Sequence, residues 1–234
     1  MTEKSDNMLN EKVYNELVQL VSEHKGELFD EIAAERTDYI NVVIENLYKE
    51  HNASAVLRTC DCYGIKKLHV IENENEYKVN RDIALGAGKW VDIENHSVGT
   101  PPSLECIKKL KDKGYKIVAT TPHTEDFDIY DLPIDAPIAF FFGTEFSGLS
   151  SEVLSQCDMK VKVPMYGFTE SFNISVSAAI LLSAIRKRLS DSEIKWKLSH
   201  DAQIKLKIAW CIKNLSRGKE IESEIRRRLI EKEL

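Results

Sequence analysis

A chain of 234 residues with 43% hydrophobic content has enough apolar mass for one domain with appendages. It contains no run of about eighteen apolar residues and no charged-then-apolar leader, which excludes a membrane-spanning helix and reads as a soluble, unprocessed cytoplasmic protein. A net charge of −6 argues at first sight against a nucleic-acid partner, and five cysteines (Cys60, Cys62, Cys106, Cys157, Cys211) without a Cys-x-x-Cys pair point to reduced thiols, away from disulfides and zinc.

In chain order, residues 1–36 read as a helical extension, with Val13, Leu17, Leu20 and Val21 on one face and then Leu28, Phe29 and Ile32. Tyr39–Ile44 is β-branched and apolar, a first strand. Asn52–Cys62 follows as a helix closed by Gly64, and Leu68–Ile71 returns as a strand. Glu72–Asn80 is a polar loop, and Trp90–Ile93 a strand. Leu104–Lys113 forms a helix capped by Gly114, and Tyr115–Thr120 a further strand. Alternation of strands and helices predicts an α/β domain with a largely parallel sheet and helices on both faces. Beyond Leu189 the chain reads as wholly helical, with Trp196, Ile204, Ile208, Trp210, Leu215 and Ile221 available for packing.

Two stretches stand apart. Pro137–Ser150 opens with an uninterrupted apolar run, the pattern of a central strand covered on both sides, and ends in Gly143, Gly148 and Ser150. The glycine spacing imitates a phosphate-binding loop, but Leu149 stands where such a loop needs lysine, and no Gly-x-Gly-x-x-Gly follows an early strand. Val161–Leu182 begins as a strand, stops at Pro164, turns at Gly167 and continues from Ser171 as a helix whose apolar face runs through Ile174, Ala178, Leu181 and Ile185. Serine and asparagine at Ser171, Asn173 and Ser175 are poor choices for propensity alone, because they bond to nearby backbone. Ligands of open α/β sheets gather at the carboxyl ends of strands such as these.

Charge is unevenly spread. From Arg186 to Leu234, Lys and Arg number fourteen against eight Asp and Glu, a balance of +6, so everything before sums to −12. A basic arm on an acidic body suits an RNA partner, although Arg186, Lys187 and Arg188 also suit a helix C-terminus.

Three motifs then carry a resemblance. Asn52-Ala53-x-Ala55-x-x-Arg58-Thr59, Phe142-Gly143-Thr144-Glu145-x-x-Gly148-Leu149, and Val163-Pro164-Met165 through Ser171-Phe172-Asn173-x-Ser175-Val176 resemble, in order, the three motifs of the SPOUT-class RNA 2′-O-methyltransferases, TrmH (SpoU) group. The likeness spans roughly Tyr39 to Arg188, with Phe172 where the group commonly has leucine. It implies a SPOUT methyltransferase domain over residues 37–189, with a C-terminal trefoil knot that periodicity could not reveal. Residues 190–234 form a basic helical C-terminal extension.

The resemblance also implies S-adenosylmethionine, bent in the knotted loops, as cofactor, and a homodimer with the site at its interface. Cofactor contacts carry over to Thr120, Gly143, Val163, Met165 and Phe172. It assigns Arg58 the role of base assisted by a substrate phosphate. A guanidinium seldom gives up its proton, and a milder reading makes Arg58 a phosphate clamp that orients the ribose and lowers its hydroxyl's pKa; in either role Arg58 is essential. Asn52 would order the loop at the start of its helix, Glu145 would hold the loop, Arg58 or the substrate, and Ser171 and Asn173 would fix the ribose or the neighbouring loop. No metal is needed, since methyl transfer develops no oxyanion on a phosphoryl or carbonyl group. Helical extensions at both ends favour the D-loop guanosine of tRNA as substrate, with ribosomal RNA second. A catalytically silent RNA-binding or assembly factor on the same fold is a further alternative, disfavoured by the intact motif residues. The basic arm, with Arg186, Lys187 and Arg188 at its start, would bind RNA phosphates.

Overall fold

Three consecutive phenylalanines, Phe140, Phe141 and Phe142, are almost wholly buried. A strand can bury three successive side chains only when both of its faces are covered, because they alternate across the sheet. The structure, a computed structural model, describes residues 3–72, 77–97 and 101–232, so the middle of the polar loop expected over Glu72–Asn80 lies outside the described residues. The chain divides into two compact units, Thr37–Trp196 and a second drawn from both ends, Met1–Arg36 with Lys197–Leu234.

The larger unit holds a seven-stranded sheet. Its strands are β1 (Ile40–Glu45), β2 (Lys67–Ile71), β3 (Asp92–His96), β4 (Lys116–Thr120), β5 (Phe127–Asp128), β6 (Ile138–Phe142) and β7 (Met159–Lys162). They lie in the order β3-β2-β1-β6-β4-β7-β5, every neighbouring pair parallel. The helices of this unit are α3 (Glu50–Cys62), α4 (Arg81–Ala84), α5 (Pro102–Asp112), α6 (Ser151–Gln156) and α7 (Ile174–Ser190). Val42, Ile44, Phe140 and Phe142 share a core with α3 and α7. The alternate residues Val43, Ala139 and Phe141 share another with α5 and α6. At about 1.5–3 kcal/mol for each large apolar side chain removed from water, these two layers dominate the stability of the unit. They also aim the carboxyl ends of β4, β6 and β7 at one edge.

Several boundaries differ from the sequence reading. Helix α7 starts at Ile174, capped by the Asn173 side chain accepting the Ser175 amide at 2.9 Å, so Ser171 and Phe172 belong to the preceding loop. Asparagine and serine compete equally for such a cap, and propensity cannot choose between them. Strand β3 runs to His96 and leaves Trp90 in a turn. The short elements α4, β5 and α6 lack the length to show a period. Glycines at 64 and 114 have φ of 71° and 85°, which is why those two helix ends are glycine.

The smaller unit packs α1 (Glu3–Val18), α2 (Glu23–Glu35), α8 (His200–Asn214) and α9 (Gly218–Glu231). Leu17 and Phe29 are buried, but Leu20 is 51% exposed in the turn after α1. The expectation of unbroken helix beyond Leu189 fails over residues 191–199, which are turn and coil. Trp210 lies at the centre of this unit, its ring 5.5 Å from Phe29, with the Arg36 guanidinium 5.5 Å from its centroid. Lys207 donates to Asp30 at 2.6 Å and lies 4.2 Å over the Tyr14 ring. No helix among the described residues is long and apolar enough to cross a membrane.

One buried pair in the larger unit has a pH consequence. His69 on β2 and His96 on β3 place Nδ1 and Nε2 3.0 Å apart with ring centroids 5.3 Å apart. The facing nitrogens therefore lie along the line joining the rings and share one hydrogen bond, in which the accepting ring must be neutral. Burial pushes both pKa values below the usual histidine value of 6.5, against the pull of Glu94. The unfolded chain then binds protons below pH 6.5 that the folded chain refuses, so stability is present above that pH and lost as pH falls. Unfolding by urea from pH 7.5 to 5.5 is expected to show stability dropping towards a slope of about 1.4 kcal/mol per pH unit for each refused proton. His69→Asn should reduce that slope; an unchanged slope refutes the assignment.

Candidate active site

The loops leaving β4, β6 and β7 enclose a cleft of about 520 Å³. Thr120, Gly143, Val163, Met165 and Phe172 all line it, with Glu145, Ser171 and the apolar side chains of Leu149 and Leu181. Thr120 Oγ1 donates to the Phe141 carbonyl at 2.7 Å and ties the end of β4 to β6. The loop after β6 is folded back on itself: Thr144 and Gly148 exchange backbone hydrogen bonds of 2.9 and 3.1 Å. Gly148 has φ of 69°, and a Cβ on Gly143 would come closer than 3.0 Å to the Gly148 carbonyl and the Leu149 nitrogen. Only glycine permits this backbone approach.

Glu145, at the tip of that loop, collects three donors. Lys49 Nζ lies at 2.9 Å, Asn52 Nδ2 at 3.0 Å and Asn173 Nδ2 at 2.6 Å. Asn173 also donates to Asn52 Oδ1 at 3.1 Å. The Lys49 bond outweighs burial and, with the two amides, holds the Glu145 carboxyl below the usual carboxylate value. Glu145 is thus an anion committed to acceptance, and it joins the start of α3, the loop after β6 and the cap of α7. Arg58 is exposed on α3 and, among the described residues, has no hydrogen-bond or ionic partner. A permanently charged guanidinium without a partner is available to an external anion.

Residues 39–183 match the family described as the SpoU rRNA Methylase family. The chain belongs to this family. A tRNA (guanosine(18)-2′-O)-methyltransferase of Borreliella burgdorferi is 36% identical over 83% of this chain and 87% of its own length. The enzyme of that name from Thermus thermophilus is 33% identical over 72% of this chain and 85% of its own. Among solved structures, the TrmH/SpoU tRNA modifying enzyme of A. aeolicus superposes with a TM-score of 0.71 at 30% identity, covering 81% of this chain and 96% of that one.

Against the sequence expectations for a SpoU chain, the structure draws Asn52, Glu145 and Asn173 into one network and sets Glu145 and Ser171 on the cleft wall. The three basic residues expected to meet RNA have partners inside the larger unit. The Arg186 guanidinium lies 3.9 Å from the centroid of the Trp196 ring, and Lys187 pairs with Asp191 at 2.6 Å. Arg188 donates to the carbonyls of Ile129 and Leu132 at 3.2 and 2.7 Å. Sequence reasoning missed Lys49, just before α3, whose only signal is a lysine three residues ahead of Asn52. It also missed His123, Lys160, Lys162 and Glu170, charged or titratable residues on the cleft wall.

Gly143→Ala should destabilise the protein by at least about 2 kcal/mol through overpacking against fixed backbone. Gly167→Ala, with nothing within 4 Å of the added carbon, should stay within about 0.5 kcal/mol of the parent. Thermal melts of the two variants, at about 2–4 °C per kcal/mol, separate them; equal melting temperatures would refute the close-approach argument.

Proposed function

We propose that this chain methylates the 2′-hydroxyl of a tRNA guanosine, the guanosine 18 named for its relatives, with S-adenosylmethionine as donor. One observation carries the reading: a single loop, Gly143–Leu149, both walls the cleft and delivers Glu145 to Asn52 and Asn173. A donor site and a polar site for the acceptor thereby share one rigid element, as in-line transfer between two bound molecules requires. A relative 36% identical over 83% of this chain carries the tRNA name, which supports tRNA over ribosomal RNA as the substrate.

The cleft suits the cofactor's chemistry. The Cβ-free backbone at Gly143 leaves room for a close approach, and Val163, Met165 and Phe172 supply apolar surface for an adenine ring. S-adenosylmethionine, when bound, supplies an electrophilic methyl group. Glu145 keeps Asn52 and Asn173 oriented, and the Ser171 hydroxyl can bond the ribose. Arg58 holds an RNA phosphate beside the ribose, which places the hydroxyl and eases loss of its proton to solvent water as the methyl group is transferred. Five thiols without a disulfide fit a reducing, cytoplasmic setting.

A homodimer belongs to the same proposal. Tyr166 and Phe168, in the loop between Met165 and Ser171, are 96% and 109% exposed. Two aromatic rings in water beside a cleft are apolar surface that a second copy would cover.

Transfer of label from methyl-labelled S-adenosylmethionine into unmodified tRNA, and not into ribosomal RNA, tests the substrate; label in ribosomal RNA alone overturns it. Arg58→Ala is expected to lower that transfer more than about 100-fold while S-adenosylhomocysteine affinity changes less than about tenfold, or 1.4 kcal/mol. A greater loss of affinity would make Arg58 part of the cofactor pocket. Sedimentation is expected to give twice the 26.7 kDa chain mass, and a fully active monomer would refute the dimer.

A further inference from the structure

A carboxylate that none of the motifs contains lies buried behind the cofactor loop. Glu45, the last residue of β1, is 2% exposed. In the parallel register Ile44 pairs with Phe142, so the next residues along the two strands are Glu45 and Gly143. Like Val43 two positions before it, Glu45 points to the α5 and α6 side of the sheet, and there it meets three donors. Ser103 Oγ, in the first turn of α5, donates to Oε1 at 2.6 Å. Ser150, which caps α6 and closes the loop that begins at Gly143, donates twice: Oγ to Oε1 at 2.7 Å and the backbone amide to Oε2 at 2.8 Å. The Ser150 hydroxyl accepts in turn from the Val153 amide at 3.3 Å.

Burying a carboxylate is costly, and an apolar side chain of like volume would commonly serve stability as well or better. The donors of Glu45 explain its presence in another way, since two of the three belong to the residue that anchors the loop. We propose that Glu45 is a positioning residue for the cofactor site: by holding Ser150 at both its amide and its hydroxyl, it sets the end of the Gly143–Leu149 loop against β1. The folded-back exchange between Thr144 and Gly148 then passes that position to Gly143 at the cleft and Glu145 at its tip. Asn173 and Lys49 reach only the tip of the loop and cannot replace this anchor. The proposal rests on the reading of the cleft as the S-adenosylmethionine site.

Ser103 provides the discriminating control, because it bonds the same carboxylate from α5 and has no part in the loop. Glu45→Ala and Ser150→Ala are expected to weaken S-adenosylhomocysteine binding, measured by calorimetry on the full-length protein, about tenfold or more. Ser103→Ala should lower the melting temperature and leave that affinity within about twofold, and Glu45→Gln should restore part of what Glu45→Ala loses. If Glu45→Ala does not fold, Ser150→Ala carries the test with the same expectation. Unchanged cofactor affinity in Glu45→Ala and Ser150→Ala, or equal weakening in Ser103→Ala, overturns the positioning role. A parent protein that fails to bind S-adenosylhomocysteine would instead overturn the assignment of the cleft.

Discussion

The site depends on how closely the backbone at Gly143 approaches the backbone at Gly148. That contact turns the segment after the central strand into a loop folded flat on itself, with no room for a side chain at its root. The loop reaches three ways from there. Its inner wall is the cleft, its tip carries Glu145, and its far end enters α6 through Ser150. The tip is held by Asn52 and Lys49 from the start of α3 and by Asn173 from the cap of α7, and the far end by Glu45 from β1. A loop fixed at root, tip and end is pre-organised, so binding does not have to meet the cost of ordering it.

Electrostatics divide the labour among the polar residues. Glu145 is pulled below the ordinary carboxylate range by its own donors, led by Lys49, which fits an organising anion. Arg58 differs in being charged, exposed and without a partner among the described residues. The anion that Arg58 lacks within the chain is what an RNA backbone offers, and in the proposed reaction the substrate itself completes the site. The basic residues in the last turns of α7 follow another logic. Arg188 satisfies two carbonyls and Arg186 stacks on Trp196, so a charge count over that segment measures packing as well as affinity for phosphate.

The sequence by itself determined whatever depends on near neighbours in the chain. The apolar run Ile138–Phe142 implied a strand covered on both faces, Gly64 and Gly114 marked helix ends that need positive φ, and alternation of elements implied a parallel sheet. The three motifs, read in order, identified the family; the second and third concentrate glycine, proline and small polar residues where no periodic element would place them. Tertiary structure alone decided matters that join distant positions. Nothing local distinguishes Ser171 from Asn173 as a helix cap; the choice falls to Asn173, whose amide also reaches Asn52 and Glu145 across the fold. Glu45 falls just beyond the strand read from sequence, and only the fold sets Ser103 and Ser150 beside it, as only the register of β2 with β3 makes His69 and His96 a hydrogen-bonded pair. Periodicity reports which way a side chain points, since that follows from backbone geometry a few residues long. Which partner waits there depends on chain segments brought together from 105 and 121 residues away, and only packing of the whole sheet selects them.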